Sequence, residues 1–167
     1  NLHIPFCGRM RYDREGKSGQ SCGKGEPMHL IICLDDRNGM SFNRRRQSRD
    51  RAVTADIVRT SAGRTLWMSP ASAVLFGDDT PCSLRTAQDF LDRAAKDDCC
   101  FVEDRDVRPY LPQIGEIILY RWNRVYPADR YWDIDLTVGD WTLRETTDFP
   151  GFSHAKITKE VYCKCKH

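Results

Sequence analysis

Eight cysteines and four histidines are the residues of this 167-residue chain best suited to covalent or metal chemistry. The cysteines are Cys7, Cys22, Cys33, Cys82, Cys99, Cys100, Cys163 and Cys165. An even number at this density predicts disulfides and an oxidising compartment. A structural zinc site needs two CxxC-like pairs, or Cys and His at short spacing. The close pairs here are Cys99–Cys100 and Cys163-x-Cys165, so no metal site is read. A vicinal pair rarely bonds to itself, because a disulfide needs a specific relation of Cα atoms and Cβ directions. Cys99 and Cys100 are therefore expected to reach different partners.

Of the histidines, His3 and His167 lie at the chain ends, and His29 opens an apolar run where a structural or solvent-facing role is expected. His154 closes the stretch Gly139–Ile157, "GDWTLRETTDFPGFSHAKI", in which Thr146, Thr147, Asp148 and Ser153 follow Trp141. That stretch reads either as an active-site strand or as a hairpin with polar decoration. No HExxH, GxSxG, GxGxxG or P-loop pattern occurs, so zincin, hydrolase-elbow and nucleotide-fold readings lose their main support. No cofactor is read.

Charge adds little in bulk. The net charge is +2, from 26 Lys and Arg against 24 Asp and Glu, which gives no argument for nucleic acid. Asn43–Arg51, "NRRRQSRDR", packs five Arg into nine residues. It reads as a solvated loop, or as an interaction surface in which Arg44, Arg45, Arg46 and Arg49 meet an anion or RNA phosphate. The exposed aromatics Tyr110, Trp122 and Tyr126 are further interaction candidates. With 40% hydrophobic and 30% charged residues the chain is globular in composition. No apolar run approaches the roughly 18 residues of a membrane span. A start at Asn1 without a signal-like segment reads as a mature or trimmed chain.

The elements that must position these residues follow from pattern. His29–Leu34 is an apolar strand. Ala52–Thr60 and Arg64–Ser69, rich in β-branched and large apolar residues, predict a hairpin through "SAG". Ser83–Lys96 predicts one clear helix, with Leu84, Ala87, Leu91, Ala94 and Ala95 on one stripe, Ser83 as cap and Pro81 before it. Cys82 and Cys99–Cys100 would clamp its ends. Ile114–Trp122 is strand-like. Tyr131–Val138 and Trp141–Thr147 alternate about Gly139–Asp140, a hairpin signal. Ala155–Lys166 alternates again and places Cys163 and Cys165 on one face. The fold class expected is α+β, mostly antiparallel β with one helix at about 83–96, stabilised by disulfides. The layout suggests a cysteine-rich N-terminal domain, 1–105, and a β-rich C-terminal domain, 106–167, which could form one continuous unit.

Two resemblances bear on function. "DWTLRETTD", Asp140–Asp148, resembles the C-terminal strands of barnase-type microbial ribonucleases, and Asp129–Arg130 resembles a family Asp-Arg pair. The resemblance implies Glu116 as the base taking the 2′-OH proton, His154 as the acid for the leaving oxygen, and Arg130 as a phosphate ligand. It departs from the family after Thr-Thr-Asp, where Phe149 stands and His154 comes five positions later. The cysteine layout, with "CC" after a helix and a β-rich end, resembles the secreted dual-domain effectors of plant-pathogenic fungi, the secreted-in-xylem type of Fusarium. That implies a secreted, disulfide-rich virulence effector or toxin-like protein that binds a host protein or receptor. The alternative is a secreted endoribonuclease acting on RNA through Glu116, Arg130 and His154.

Overall fold

The structure is a computed structural model and describes residues 27–79 and 83–165. In chain order its elements are β1 (Met28–Leu34), β2 (Gly39–Phe42), β3 (Arg45–Arg46), α1 (Arg51–Thr60), β4 (Leu66–Met68), α2 (Pro70–Ala73), β5 (Leu84–Thr86), α3 (Phe90–Arg93), β6 (Cys99–Val102), β7 (Ile114–Arg121), β8 (Arg130–Tyr131), β9 (Trp141–Phe149) and β10 (Ile157–Lys164). Short 3₁₀ turns occupy Val74–Asp79 and Arg108–Gln113.

β1, "MHLIICL", is apolar almost throughout. A strand of that kind belongs between parallel neighbours with both faces covered, and β1 lies between β6 and β7, parallel to both. Seven strands form one sheet in the order β5-β4-β6-β1-β7-β10-β9. The run from β5 to β7 is parallel, and β10 and β9 add an antiparallel edge. Because side chains alternate along a strand, β1 feeds two cores. Leu30, Ile32 and Leu34 join Cys100, Val102, Ile117, Leu119, Trp132 and Leu136 on one face. Ile31 joins Phe101, Ile118, Tyr120, Trp122 and the α1 residues Val53 and Ile57 on the other. A small second sheet, β3-β2-β8, carries the arginine loop. Asn43 and Arg44, at φ 51 and 60, make its tight turn.

This corrects the expected fold class. The sheet is mixed and mostly parallel, and the helix expected at 83–96 is absent. Leu84–Thr86 is strand β5, paired with Leu66–Met68, and only Phe90–Arg93 coils, for one turn. Backbone pairing with β4 outweighs the apolar stripe, and Ala94 is already extended. The reverse happened at Ala52–Thr60. Its β-branched residues form helix α1, because Asp50 caps Ala52 N at 2.9 Å and Val53 and Ile57, one turn apart, are buried. Strand β9 pairs with β10, not with Tyr131–Val138, which is irregular beyond β8.

The disulfide expectation is corrected too. Among the described residues no disulfide forms, and Cys33, Cys99, Cys100 and Cys165 carry free thiols. Cys99 and Cys100 are buried strand residues that pack as small apolar side chains on opposite faces of β6. Cys7, Cys22, Cys82, Pro81, His3 and His167 lie outside the described residues. No helix among the described residues is long and apolar enough to cross a membrane.

Candidate functional site

In an open parallel sheet the backbone at the carboxyl ends of the strands leaves a crevice, widest where the chain reverses its direction of strand addition. Here β1 runs into Asp35 and β6 into Glu103. Both carboxylates are engaged. Asp35 is fully buried and accepts from the backbone N–H of Arg37 at 2.9 Å, Gly39 at 2.7 Å and Tyr126 at 3.1 Å, and from Gln47 Nε2 at 3.1 Å. Burial pulls its pKa up, but these donors outweigh it and hold the carboxyl below its usual range. Glu103 takes a two-point contact from Arg46, Nε at 3.0 Å and Nη2 at 3.2 Å, and accepts from Ser72 Oγ at 2.6 Å. Ser72 belongs to α2, capped by Ser69, so an internal carboxylate sits at that helix start.

Beside the crevice lies a second cluster. Asp50, the α1 cap, is buried and reaches across to the loop between β9 and β10. Its Oδ1 accepts from Ala52 N at 2.9 Å and Phe152 N at 3.0 Å. Its Oδ2 accepts from Ser153 N at 2.9 Å, Ser153 Oγ at 3.1 Å, His154 N at 3.2 Å and His154 Nδ1 at 3.0 Å. Burial raises the Asp50 pKa, and the donors led by Phe152 N and the His154 ring overcome it, so the carboxyl is held far below its ordinary value. An ionised carboxylate only accepts, so the proton of neutral His154 stands on Nδ1 and Nε2 is the acceptor. That Nε2 meets Tyr126 Oη at 2.8 Å and Ser48 Oγ at 3.1 Å. The ring is stacked on Trp122, centroids 4.7 Å apart. Gly151 allows the loop to approach, since a Cβ there would stand 2.5 Å from Asp50 Oδ2.

From this cluster an open groove runs along α1. Its polar end, a cavity of about 410 Å³, is lined by Arg49, Asp50, Arg51, Thr54 and Ser153 with Leu75 and Phe152. Its apolar end, about 640 Å³, adds Ala55, Val58, Phe76 and Gly77. Arg51, Thr54, Leu75 and Phe152 line both ends. Phe152 hangs over the groove with 80% of its surface exposed. Arg49 and Arg51 have no ion-pair partner among the described residues.

The residues singled out from sequence are scattered. Glu116 lies near the start of β7, bonded to His29 Nδ1 at 3.0 Å and Arg144 Nη2 at 3.0 Å. His29 reaches Asp97 with its other nitrogen at 2.9 Å, so it is a buried ion-network residue. His154 stacks on Trp122, just past the other end of β7. Six residues of strand put Glu116 and Trp122 about 20 Å apart. Arg130 is exposed in β8 and paired with Ser41. Thr146, Thr147 and Asp148 face solvent on the edge strand β9. Arg44, Arg45 and Arg49 are exposed, while Arg46 turns inward to Glu103. Trp122 is buried, not exposed. Sequence reading missed Asp50 and Ser48, and named Tyr126 only as an exposed interaction aromatic, whereas its hydroxyl is bonded to His154. Their one visible signal was Asp50 ahead of a helix, obscured by the strand reading of α1. Among the described residues no group of three His, Cys, Asp or Glu side chains could hold a metal ion.

No protein-family model matches the chain, and no curated protein matches it. Among solved structures it is similar to the dihydrofolate reductase from Enterococcus faecalis complexed with NADP(H) and RAB-propyl, with TM-score 0.60, 11% sequence identity, and coverage of 84% of this chain and 97% of that one. At that identity the likeness shows the fold alone. It overturns both resemblances drawn from sequence. A mostly parallel sheet with free thiols is neither the disulfide-rich effector layout nor the barnase-type sheet, and Glu116 and His154 cannot meet one phosphate.

Proposed function

We propose that the chain binds a small organic anion with a flat apolar portion, seated in the groove between α1 and residues 74–77. The observation that carries this reading is the groove itself. Its larger end, about 640 Å³, is of the size that takes a small molecule. Ala55, Val58 and Phe76 make one end apolar, Arg49, Asp50 and Ser153 stand at the other, and Arg51 and Thr54 line both. The folates have this chemistry, a flat heteroaromatic ring on an aryl tail that ends in carboxylates, and the structural neighbour is named for dihydrofolate. They are the first class to test.

The neighbour's complex also contains NADP(H), and the residues of this chain do not fit a dinucleotide. A pyrophosphate needs a glycine turn or a free helix start that lets backbone N–H groups approach it. In this chain β6 runs into Glu103 and Asp104, and the start of α2 faces the Glu103 carboxylate. The reading is therefore a ligand-binding protein on a reductase-type fold, with no step routed through NADP(H). Titration calorimetry with folate, dihydrofolate and NADPH tests it. Folate-class binding in the micromolar range, weakened about 10-fold by Arg51→Ala, with no heat from NADPH, is the expected result. NADPH binding, or no folate-class binding at millimolar ligand, would overturn it.

A further inference from the structure

We propose that Ser48 is a nucleophile, activated by His154 and oriented through it by Asp50, in a site for hydrolysis of a small ester. The inference stands apart from the folate reading. It rests on three side chains and their order. A serine hydroxyl attacks only if a base within hydrogen-bond reach takes its proton. His154 Nε2 is 3.1 Å from Ser48 Oγ. The base must be held as the tautomer with a free Nε2, and the Asp50 carboxylate, 3.0 Å from Nδ1, enforces that. The ring cannot swing away, because it is 3% exposed and stacked on Trp122. Ser48 is half-buried, on the segment between β3 and the α1 cap.

The surroundings suit acyl chemistry. Arg49 and Ser153, the chain neighbours of Ser48 and His154, line the polar end of the groove together with Asp50. The guanidinium groups of Arg49 and Arg51 supply positive charge for an oxyanion there. The step balances without any other reagent than water. The Ser48 O–H proton passes to His154 Nε2 while Oγ bonds to the ester carbon. The alcohol leaves with that proton as the C–O bond breaks. Water then attacks the acyl-serine, gives its proton to Nε2, and releases the acid as Ser48 regains its hydrogen.

One feature separates this site from a structural hydrogen-bond network. Tyr126 Oη, 2.8 Å from the same Nε2, competes with Ser48 for the single lone pair. Removing that hydroxyl should leave Nε2 to Ser48 alone and raise its reactivity, whereas a network that only supports the fold would be loosened with no gain. The experiment uses phenylmethanesulfonyl fluoride on the intact chain, read by intact mass and peptide mapping, beside Ser48→Ala, Thr147→Ala, Tyr126→Phe and His154→Gln. The expected result is one sulfonyl adduct on Ser48. It should be absent in Ser48→Ala, unchanged in the solvent-facing Thr147→Ala, at least about 10-fold slower in His154→Gln, and a few-fold faster in Tyr126→Phe. Ser48→Ala and Tyr126→Phe each remove one hydroxyl, and their melting curves confirm folding whatever His154→Gln does. An adduct elsewhere, no adduct, or equal labelling in Ser48→Ala with the fold intact would overturn the assignment.

Discussion

Replacing Asp50 should be among the most damaging single changes to this chain. Its carboxylate serves six donors on two segments that are about a hundred residues apart in sequence. Loss of the α1 cap alone costs about 1 kcal/mol. The buried His154 N–H would be left unpaired at about 1–3 kcal/mol, while Nδ1–H keeps Ser153 Oγ at 3.2 Å. The Phe152 and Ser153 N–H groups, nearer solvent, can turn to water and add less. Asp50→Ala is thus expected to lose about 3–5 kcal/mol, or roughly 10–15 °C in Tm for a chain of this size. Asp50→Asn should be little milder, because whichever way its amide turns, an NH2 faces donors. The pH dependence has a definite sign. The folded carboxyl titrates far below its unfolded value of about 3.9, so its contribution is complete above that pH and is lost progressively as pH falls below it. Urea unfolding of parent and variants from pH 3 to pH 7, with m values compared, is the assay. An Asp50→Asn variant within about 0.5 kcal/mol of the parent at pH 7 would refute the account of the loop as held by this carboxylate.

Three other outcomes follow from the structure. The denatured chain should give at least the four thiols of Cys33, Cys99, Cys100 and Cys165 with Ellman's reagent, and a result of none would restore the disulfide reading. Of those four thiols the exposed Cys165 should react first in the native chain, because burial pushes Cys99 up to about 12 and Cys100 higher, leaving little thiolate. Gly151→Ala should cost about 1–3 kcal/mol, since its Cβ would stand 2.5 Å from Asp50 Oδ2 and 2.8 Å from the His154 carbonyl, both held in place. Equal stability of Gly151→Ala and parent would show that the loop can move.

How much of this was legible depends on whether a residue's local pattern or its distant partner decides its state. The apolar runs of β1 and β7 and the alternation of β10 are local, and each appears as a strand close to where the pattern puts it. Parallel pairing is not local. Nothing within "HLIICL" says that its neighbours are Cys99–Val102 and Ile114–Arg121. The segment 83–96 misleads because Ala87, Leu91 and Ala94 do pack against the core, but across a strand and a single helical turn. The cysteines misled in a simpler way. Thiols buried in β6 are apolar core residues, and a count cannot separate that use from bridging. The site was least legible, since Ser48, Asp50, Tyr126 and His154 span about a hundred residues with no motif among them. His154 was found for a reason the fold overturned, and it sits at the centre of a different cluster.

The two carboxylates at the strand ends also decide where a ligand's charge can go. A phosphate entering the crevice would have to part Glu103 from Arg46, a half-buried pair joined at two points. The displaced carboxylate would still stand beside the incoming anion. Arg49 and Arg51, at the groove, present positive charge with no ion pair to break among the described residues. By charge an anion is disfavoured beside Glu103 and Asp35 and favoured beside Arg49 and Arg51, which is the reason the proposed ligand is assigned to the groove along α1 rather than to the crevice over the sheet.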